Sequence, residues 1–322
     1  MGDPAGIGPE VILRALSQSS DMTDSFIPIV IGDRVVMEEA VRLPGLSVKL
    51  NIIRTPEEAR VTAGSIDMID LALLNCFEKN KPTAEGGRAS ATYICKAVEL
   101  AINKQVEAMV TAPISKEALK MAGMNWPGHT EMLAELTGTS DYAMMLAGGP
   151  LRVILVTIHT ALRNVPDLVT KEKVLKTIRL AKKACSMLGI RHPRIAVAGL
   201  NPHAGEAGIF GDEETREIIP AIEAAATEDI QATGPFPPDT VFHKAYKGEV
   251  DIVVCMYHDQ GLIPLKMIAF DKGVNVTIGL PIIRTSPDHG TAYDIAWSGS
   301  TGKADPSSMI EALKLALQMV RA

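Results

Sequence analysis

Three of the seven histidines in this sequence follow apolar runs that are typical of buried strands. His159 comes after RVILVTI, His203 after RIAVAGLNP and His258 after DIVVCMY. In an open parallel sheet, ligands bind outside the carboxyl ends of the strands, so these side chains can converge on one site. Three neutral imidazoles can hold a divalent metal and leave a position open for water or substrate. The pattern predicts a catalytic metal site, although each histidine taken alone could be a hydrogen-bonded loop residue.

Two carboxylates lie where they could serve such a metal. Asp259 follows His258, and Asp239 lies in GPFPPDTVF, where it could instead cap a helix. A carboxylate beside a ligating histidine orients the imidazole or binds the water of the metal. Histidine ligands suit zinc, cobalt, nickel or iron, whereas carboxylates admit magnesium or manganese, so the residue types leave the metal open.

A second group of residues could hold an anion. The segment GHTEMLAEL at 128–136 places His129 and Thr130 at the start of a predicted helix, where free backbone amides favour phosphate or carboxylate. Lys266 and Arg284 could supply positive charge, and arginine can bind an anion through two parallel hydrogen bonds. Either side chain could also be an ordinary surface charge.

The glycines of the opening segment GDPAGIGPE at 2–10 do not have the G-x-G-x-x-G spacing, and no predicted strand precedes them. The segment therefore predicts a loop that enters a helix near Pro9 rather than a standard dinucleotide-binding turn.

Strands without polar alternation are separated by amphipathic segments along the whole chain. This order predicts the α/β class, with a mainly parallel sheet covered on both faces. The predicted strands are 26–32, 107–113, 152–158, 194–199 and 251–256, and the clearest helices are 88–105, 171–188 and 307–320. Clusters of Pro, Gly and Ser at 125–128 and 297–306 predict hinges between two domains, approximately 1–125 plus 300–322 and 126–299.

Composition narrows the class of protein. The formal net charge of −6 argues against a nucleic-acid partner. No apolar stretch approaches the roughly 20 residues needed to span a bilayer, and no signal segment opens the sequence. The four cysteines form no CxxC pair. We therefore expect a cytoplasmic protein without disulfides or a membrane partner.

The sequence as a whole resembles the 4-hydroxythreonine-4-phosphate dehydrogenase family. The resemblance covers nearly the whole chain and is carried by MGDPAGIGPE, TAPISKEAL, PGHTE, NPHAGEAGIFGDEE, PPDTVF, MYHDQGLIPLK and GLPIIRTSPDHGTAYDIA. It implies oxidation of a small acid phosphorylated at carbon 4, with NAD and one divalent metal, in a homodimer whose metal site takes one histidine from the other chain. The implied metal ligands are His159, His203 and His258, and the implied substrate contacts are His129, Thr130, Lys266, Asn275 and Arg284.

The family is similar in fold to the isocitrate and isopropylmalate dehydrogenases, which implies two α/β/α domains with the active site in the cleft between them. In those relatives a histidine-glycine loop holds the adenosine part of NAD, and DHGTAYDIA at 288–296 looks like that loop. The string could also be a turn leading into a helix. The implied cofactor contacts are His289, Gly290, Thr291, Ala292 and Asp294.

The expected reaction oxidises the hydroxyl group at carbon 3, and the β-keto acid then loses its carboxylate readily. The catalytic candidates are Lys266, Asp259 and Asp239. Lys266, a metal-bound hydroxide or an aspartate such as Asp259 could take the proton. The strings HDQGLIPLK and TAYDIAW look more like the branch that acts on 4-phospho-D-threonate or 4-phospho-D-erythronate than the vitamin B6 branch.

Two other functions are compatible with the predicted metal site. One is a metal-dependent hydrolase of a phosphorylated metabolite, and the other is a non-catalytic sensor of such a metabolite.

Overall fold

The computed structural model of the protein describes residues 1–18, 25–298 and 304–322. It divides into two compact units, one formed by Met1–Thr139 with Pro281–Leu317 and the other by Ser140–Leu280 with Gln318–Ala322. The predicted hinge at 297–306 lies partly outside the described residues.

These limits differ from the predicted domain limits near residues 125 and 300. The segment after residue 125 contains a helix, His129–Leu136, that packs against the long helix of the first unit. The strand Ile283–Pro287 pairs in parallel with Ala108–Val110 of the same unit. Both segments therefore belong with the first unit, although Pro and Gly residues precede them.

The first unit contains a three-stranded parallel sheet and a further pair of parallel strands. The strands are β1 (Ile29–Gly32), β2 (Lys49–Ile53), β3 (Ser65–Asp70), β4 (Ala108–Val110) and β11 (Ile283–Pro287). In the three-stranded sheet, β3 lies between β1 and β2, and in the pair β4 lies beside β11. The helices are α1 (Gly8–Gln18), α2 (Arg34–Val41), α3 (Ala84–Ile102), α4 (Lys116–Met121), α5 (His129–Leu136) and most of α11 (Ser307–Arg321).

The second unit contains six strands, β5 (Ala143–Gly148), β6 (Leu151–Leu155), β7 (Ile195–Ala198), β8 (Ala232–Phe236), β9 (Ile252–Cys255) and β10 (Val274–Ile278). Their order in the sheet is β10-β5-β6-β9-β7-β8. The helices are α6 (Val165–Leu168), α7 (Lys171–Met187), α8 (Ile219–Thr227), α9 (Val241–Tyr246) and α10 (His258–Ala269). Strands β6, β9, β7 and β8 are parallel, and β5 is antiparallel to both of its neighbours.

The α/β class predicted from the sequence is confirmed, as are the positions of the predicted strands and helices. Every residue of β7 and β9 is buried, as expected for strands covered on both faces. The sequence did not predict the other six described strands, β2, β3, β5, β8, β10 and β11. Strand β5 forms a hairpin with β6 through Gly149 at φ 55°. Among the described helices, none is both long and apolar enough to cross a membrane.

Candidate active site

The carboxyl ends of β6 and β9 are held side by side beyond the last paired residues of the sheet. The amide of Val156 donates to the carbonyl of Cys255 at 2.9 Å, and the hydroxyl of Thr157 donates to the carbonyl of Met256 at 2.7 Å. The chain then reaches His159 on one strand end and His258 on the other. The two imidazole centroids lie 5.7 Å apart, so the structure brings together two of the three predicted metal ligands.

His258 is the first residue of α10 and contacts the side chain of the next residue. Its Nδ1 atom lies 2.7 Å from Oδ1 of Asp259. An ionised carboxylate can only accept, so this contact places a proton on Nδ1 and leaves the Nε2 lone pair of the neutral ring available. A carboxylate that accepts a hydrogen bond from the non-ligating ring nitrogen is a common partner of a metal-ligating histidine.

Gln260, the third polar residue of the HDQ sequence, has a structural role. Its side chain is buried, and its Oε1 atom accepts from the amide of Met256 at 2.7 Å. Its Nε2 atom donates to the carbonyl of Gly199 at 2.8 Å. Gln260 therefore joins the carboxyl ends of β9 and β7, the strands that lead to His258 and His203. Nothing in the sequence MYHDQGLIPLK indicates these partners.

His203 lies on an unusual turn after β7. Residues 203–208 all have positive φ, including the non-glycine residues His203 at 53° and Ala207 at 55°. Side chains other than glycine rarely adopt this left-handed conformation, so the surrounding structure must impose it. The exposed ring of His203 contacts Phe210, with centroids 6.0 Å apart.

The buried carboxylate of Glu214 holds the start of this turn. Its Oε1 atom accepts from the amides of Leu200 and Asn201, both at 2.7 Å, and its Oε2 atom accepts from the side-chain amide of Asn201 at 2.9 Å. A Cβ atom at Gly205 would lie 2.7 Å from Oε2 of Glu214, so only glycine fits there. Sequence reasoning missed Glu214, because nothing in the run of acidic residues 212–214 distinguishes the buried one.

The histidine and aspartate side chains at these strand ends are suitable ligands for a divalent metal. The described residues of one chain, however, bring together only part of a ligand set. In the part of the chain that the structure describes, no three side chains of His, Cys, Asp or Glu lie close enough together to hold one metal ion. His159 and His258 form a pair, and His203 stands outside it. The assignment of His159, His203 and His258 as metal ligands remains a prediction.

A cavity of about 120 Å³ lies within the first unit. His129 and His289 both line it, so a predicted substrate contact and a predicted cofactor contact share one space. The Nε2 atom of each ring is buried and has no hydrogen-bond partner among the described residues. Buried polar atoms in native proteins are normally paired, so these two nitrogens are suited to a ligand. The remaining lining residues are Thr111, Pro113, Ile114, Lys116, Gly128, Ser286, Pro287 and Gly290.

The charge around this cavity is positive. Burial lowers the pKa of His129 well below its usual value, with a further contribution from Arg284, so His129 is neutral at pH 7. Burial also lowers the pKa of Arg284, to about 9, and the guanidinium keeps its charge while it donates to the hydroxyl of Thr111 at 2.8 and 3.2 Å. Lys116 lines the same cavity, and none of the described residues that line it is a carboxylate. The site suits an anion, and sequence reasoning missed Lys116, which stands in TAPISKEAL without a distinguishing pattern.

The other predicted site residues have varied surroundings. Thr130 is buried in the first turn of α5. Asn275 lies on β10 in the second unit, and its Oδ1 atom is buried and has no partner among the described residues. The ammonium of Lys266 lies 5.8 Å from the ring centroid of Phe270. Asp239 and Asp294 are exposed. Thr291 and Ala292 follow Gly290 in the loop after β11.

Comparison with known proteins identifies the family of this chain and agrees with its fold. The family model described as pyridoxal phosphate biosynthetic protein PdxA matches residues 24–316. The 4-hydroxythreonine-4-phosphate dehydrogenase of Desulfosudis oleivorans is 54% identical over 320 residues, which cover 98% of this chain and 94% of that protein. The D-threonate 4-phosphate dehydrogenase of Salmonella typhimurium is 49% identical over 323 residues, which cover 99% and 97%.

Comparison with a solved structure indicates the same family. The crystal structure of 4-hydroxythreonine-4-phosphate dehydrogenase from Klebsiella pneumoniae matches with a TM-score of 0.92 and 44% identity, covering 100% of this chain and 97% of that one. The chain belongs to the PdxA family, which confirms the resemblance carried by the sequence motifs.

Proposed function

We propose that this chain is a metal-dependent NAD oxidoreductase that oxidises the hydroxyl at carbon 3 of a small acid phosphorylated at carbon 4, with decarboxylation of the keto-acid product. The names of its relatives support a dehydrogenase of 4-hydroxythreonine-4-phosphate or of D-threonate 4-phosphate. Both substrate types carry the phosphate, the alcohol and the carboxylate, so one arrangement of binding residues serves either.

The proposal depends mainly on one observation: the rings of His159 and His258 lie close together at the ends of adjacent parallel strands. Asp259 contacts the Nδ1 atom of His258. His159, His258 and a third imidazole from His203 would hold the divalent metal. The metal would act as a Lewis acid that stabilises negative charge on the substrate oxygen. Because Asp259 contacts Nδ1 of His258, we assign Asp259 to orienting the ring and favour Lys266 as the base.

The third imidazole would come from a second copy of the chain. His203 stands outside the pair, and apolar side chains are exposed beside the predicted ligands. On α10, which begins at His258, the exposed side chains include Ile263 and Met267, the latter 82% exposed, and Phe270 follows directly at 73%. Contiguous exposed apolar residues mark interaction surfaces. We propose a homodimer in which this face is covered and the metal site is completed.

The cavity of the first unit would orient the anionic groups of the ligands. The ring nitrogens of His129 and His289 can each pair with one polar ligand atom, and the charges of Lys116 and Arg284 favour phosphate. His289, Gly290, Thr291, Ala292 and Asp294 would contact NAD, which accepts the hydride in the proposed reaction. Holding the reacting carbon and the cofactor in fixed positions contributes much of the rate enhancement of such enzymes.

The test is a measurement of NADH absorbance with metal-supplemented protein and NAD. The compounds to compare are 4-phosphohydroxy-L-threonine, 4-phospho-D-threonate and 4-phospho-D-erythronate. His258→Ala should abolish turnover, and the exposed His192→Ala should not. NADH from one compound, lost on chelation and in His258→Ala, supports the proposal and identifies the branch. Phosphate release without NAD would contradict it and favour a hydrolase, and ligand binding without turnover would favour a sensor.

A further inference from the structure

The glycine-rich opening loop, residues 2–8, packs against the loop at 289–297 that carries the proposed cofactor contacts. The amide of Ile7 donates to the carbonyl of Thr291 at 2.9 Å. The hydroxyl of Tyr293 donates to Oδ2 of Asp3 at 2.8 Å, and Asp3 is almost completely buried. The two loops are therefore joined on both sides of Ala292. Neither the metal site nor the cavity described above uses the opening loop.

Gly6 shows how closely the loops approach. A Cβ atom at this position would lie 2.8 Å from the carbonyl oxygen of Thr291 and 2.9 Å from its Cβ atom. The φ of Gly6 is not in the left-handed region, so backbone conformation does not require glycine there. The contact with Thr291 is the reason for glycine at this position.

The cofactor loop has a conformation that needs such support. Ala292 has φ 44°, which is unfavourable for a residue with a Cβ atom. Strained residues of this kind persist where the surrounding structure fixes them, and they cluster at ligand sites. The bonds to Thr291 and Tyr293, the residues on either side of Ala292, supply that constraint.

Asn80 reinforces the same junction. Its backbone amide donates to the carbonyl of Ala5 at 3.1 Å, and its side-chain amide donates to the carbonyls of Tyr293, at 2.8 Å, and Ala296. The indole of Trp297 also donates to the carbonyl of Ala5, at 3.1 Å. Asn80 thus contacts both loops and satisfies carbonyl groups that no regular sheet or helix would pair.

We propose that the opening loop and Asn80 position the cofactor loop, with Asp3, Gly6 and Asn80 as positioning residues for dinucleotide binding. This inference rests on the proposed function, because it takes His289, Gly290, Thr291, Ala292 and Asp294 as contacts of NAD. The opening loop would then act as a rigid support for the cofactor loop rather than as a phosphate-binding turn.

The test compares Tyr293→Phe, Gly6→Ala and the control Tyr246→Phe in the full-length, metal-loaded protein. Tyr246 is 54% exposed on α9, so the control also deletes one phenolic hydroxyl but touches neither loop. NADH binding is measured by fluorescence, steady-state KM values are measured for NAD and for the phosphorylated substrate, and thermal unfolding reports the folded state. Gly6→Ala provides a second variant if Tyr293→Phe lowers the folded fraction.

We expect Tyr293→Phe to raise the Kd for NADH and the KM for NAD by about tenfold, the scale of one lost buried hydrogen bond. Gly6→Ala should raise both constants as well, because its Cβ atom would lie 2.8 Å from the carbonyl oxygen of Thr291 and would displace the cofactor loop. The KM for the substrate and the value of kcat should stay within about twofold of the wild type. Equal increases in both KM values, or unchanged NADH binding in both variants, would overturn the inference. Absence of NADH binding in the wild-type protein would overturn the proposed function itself, which is a distinguishable result.

Discussion

The imidazole rings of His159 and His258 lie with their centroids 5.7 Å apart because the strands that precede them, β6 and β9, are parallel neighbours. The register pairs Leu155 with Cys255, and side-chain and backbone hydrogen bonds continue to Thr157 and Met256. The separation is thus determined by the sheet and by three further hydrogen bonds rather than by the loops alone. The sheet therefore positions two of the three ligands of the proposed metal site.

Replacement of Asp259 by Asn should weaken metal binding. The carboxylate contacts Nδ1 of His258 at 2.7 Å, and loss of such a partner commonly lowers metal affinity by about 10- to 100-fold. Isothermal titration with zinc or manganese measures the change. The exposed Asp229→Asn is a matched control, because Asn tolerates its φ of 56°. Equal affinities in the two variants would contradict a role for Asp259 in orienting His258.

Replacement of Gln260 by Leu should destabilise the second unit. The change removes two hydrogen bonds and leaves the amide of Met256 and the carbonyl of Gly199 without their partner. The expected loss in the free energy of unfolding is about 2–5 kcal/mol, since buried groups without partners are costly. Urea denaturation measures it, with the exposed Gln231→Leu as control. A loss no greater than that of the control would show that water replaces the amide.

Replacement of Glu214 by Gln should loosen the left-handed turn. A glutamine can still accept from the amides of Leu200 and Asn201, but its own amide would face the side-chain amide of Asn201. We expect a loss of about 1–3 kcal/mol in stability and faster hydrogen exchange at residues 200–205. The exposed Glu223→Gln should leave exchange at these positions unchanged. Unaltered exchange in Glu214→Gln would mean that the turn is held by other contacts.

His129 should make stability depend on pH in the acid range. Its pKa in the folded state is lowered by burial, whereas the unfolded chain titrates near 6.5. Below pH 6.5 the unfolded state therefore binds the proton first, and the free energy of unfolding falls as pH falls. His129→Asn should flatten this slope, and the exposed His192→Asn should not. Denaturation curves between pH 5 and pH 8 test this, and identical slopes in all three proteins would refute it.

Replacement of Lys116 by Met should weaken binding of the phosphorylated substrate. Lys116 lines the cavity with His129 and His289, and loss of one charged contact to an anion costs about tenfold in affinity. Lys120→Met, on the same short helix and exposed, is the control. Substrate titrations at two salt concentrations would show the difference. If Lys120→Met lowered affinity as much, general surface charge rather than the cavity would be responsible.

The sequence by itself determined the fold class and the position of three histidines at strand ends. Strands such as IAVA at Ile195–Ala198 and IVVC at Ile252–Cys255 are continuous apolar runs, and a fully buried parallel strand requires this pattern. The polar residues that end each run were therefore predictable as strand-end residues. Helix α5 begins at His129, as the preceding glycine and the periodic apolar residues indicated.

The tertiary structure decided which of these residues meet. The sequence could not show that β6, β9 and β7 lie side by side, that Gln260 joins two strand ends, or that Glu214 is the buried member of an acidic run. It also could not show that the opening loop contacts Thr291 and Tyr293. Each of these contacts joins segments that are distant in the chain or depends on burial, and composition and periodicity report only on neighbouring residues. Local sequence determined the elements, and long-range packing determined the candidate site.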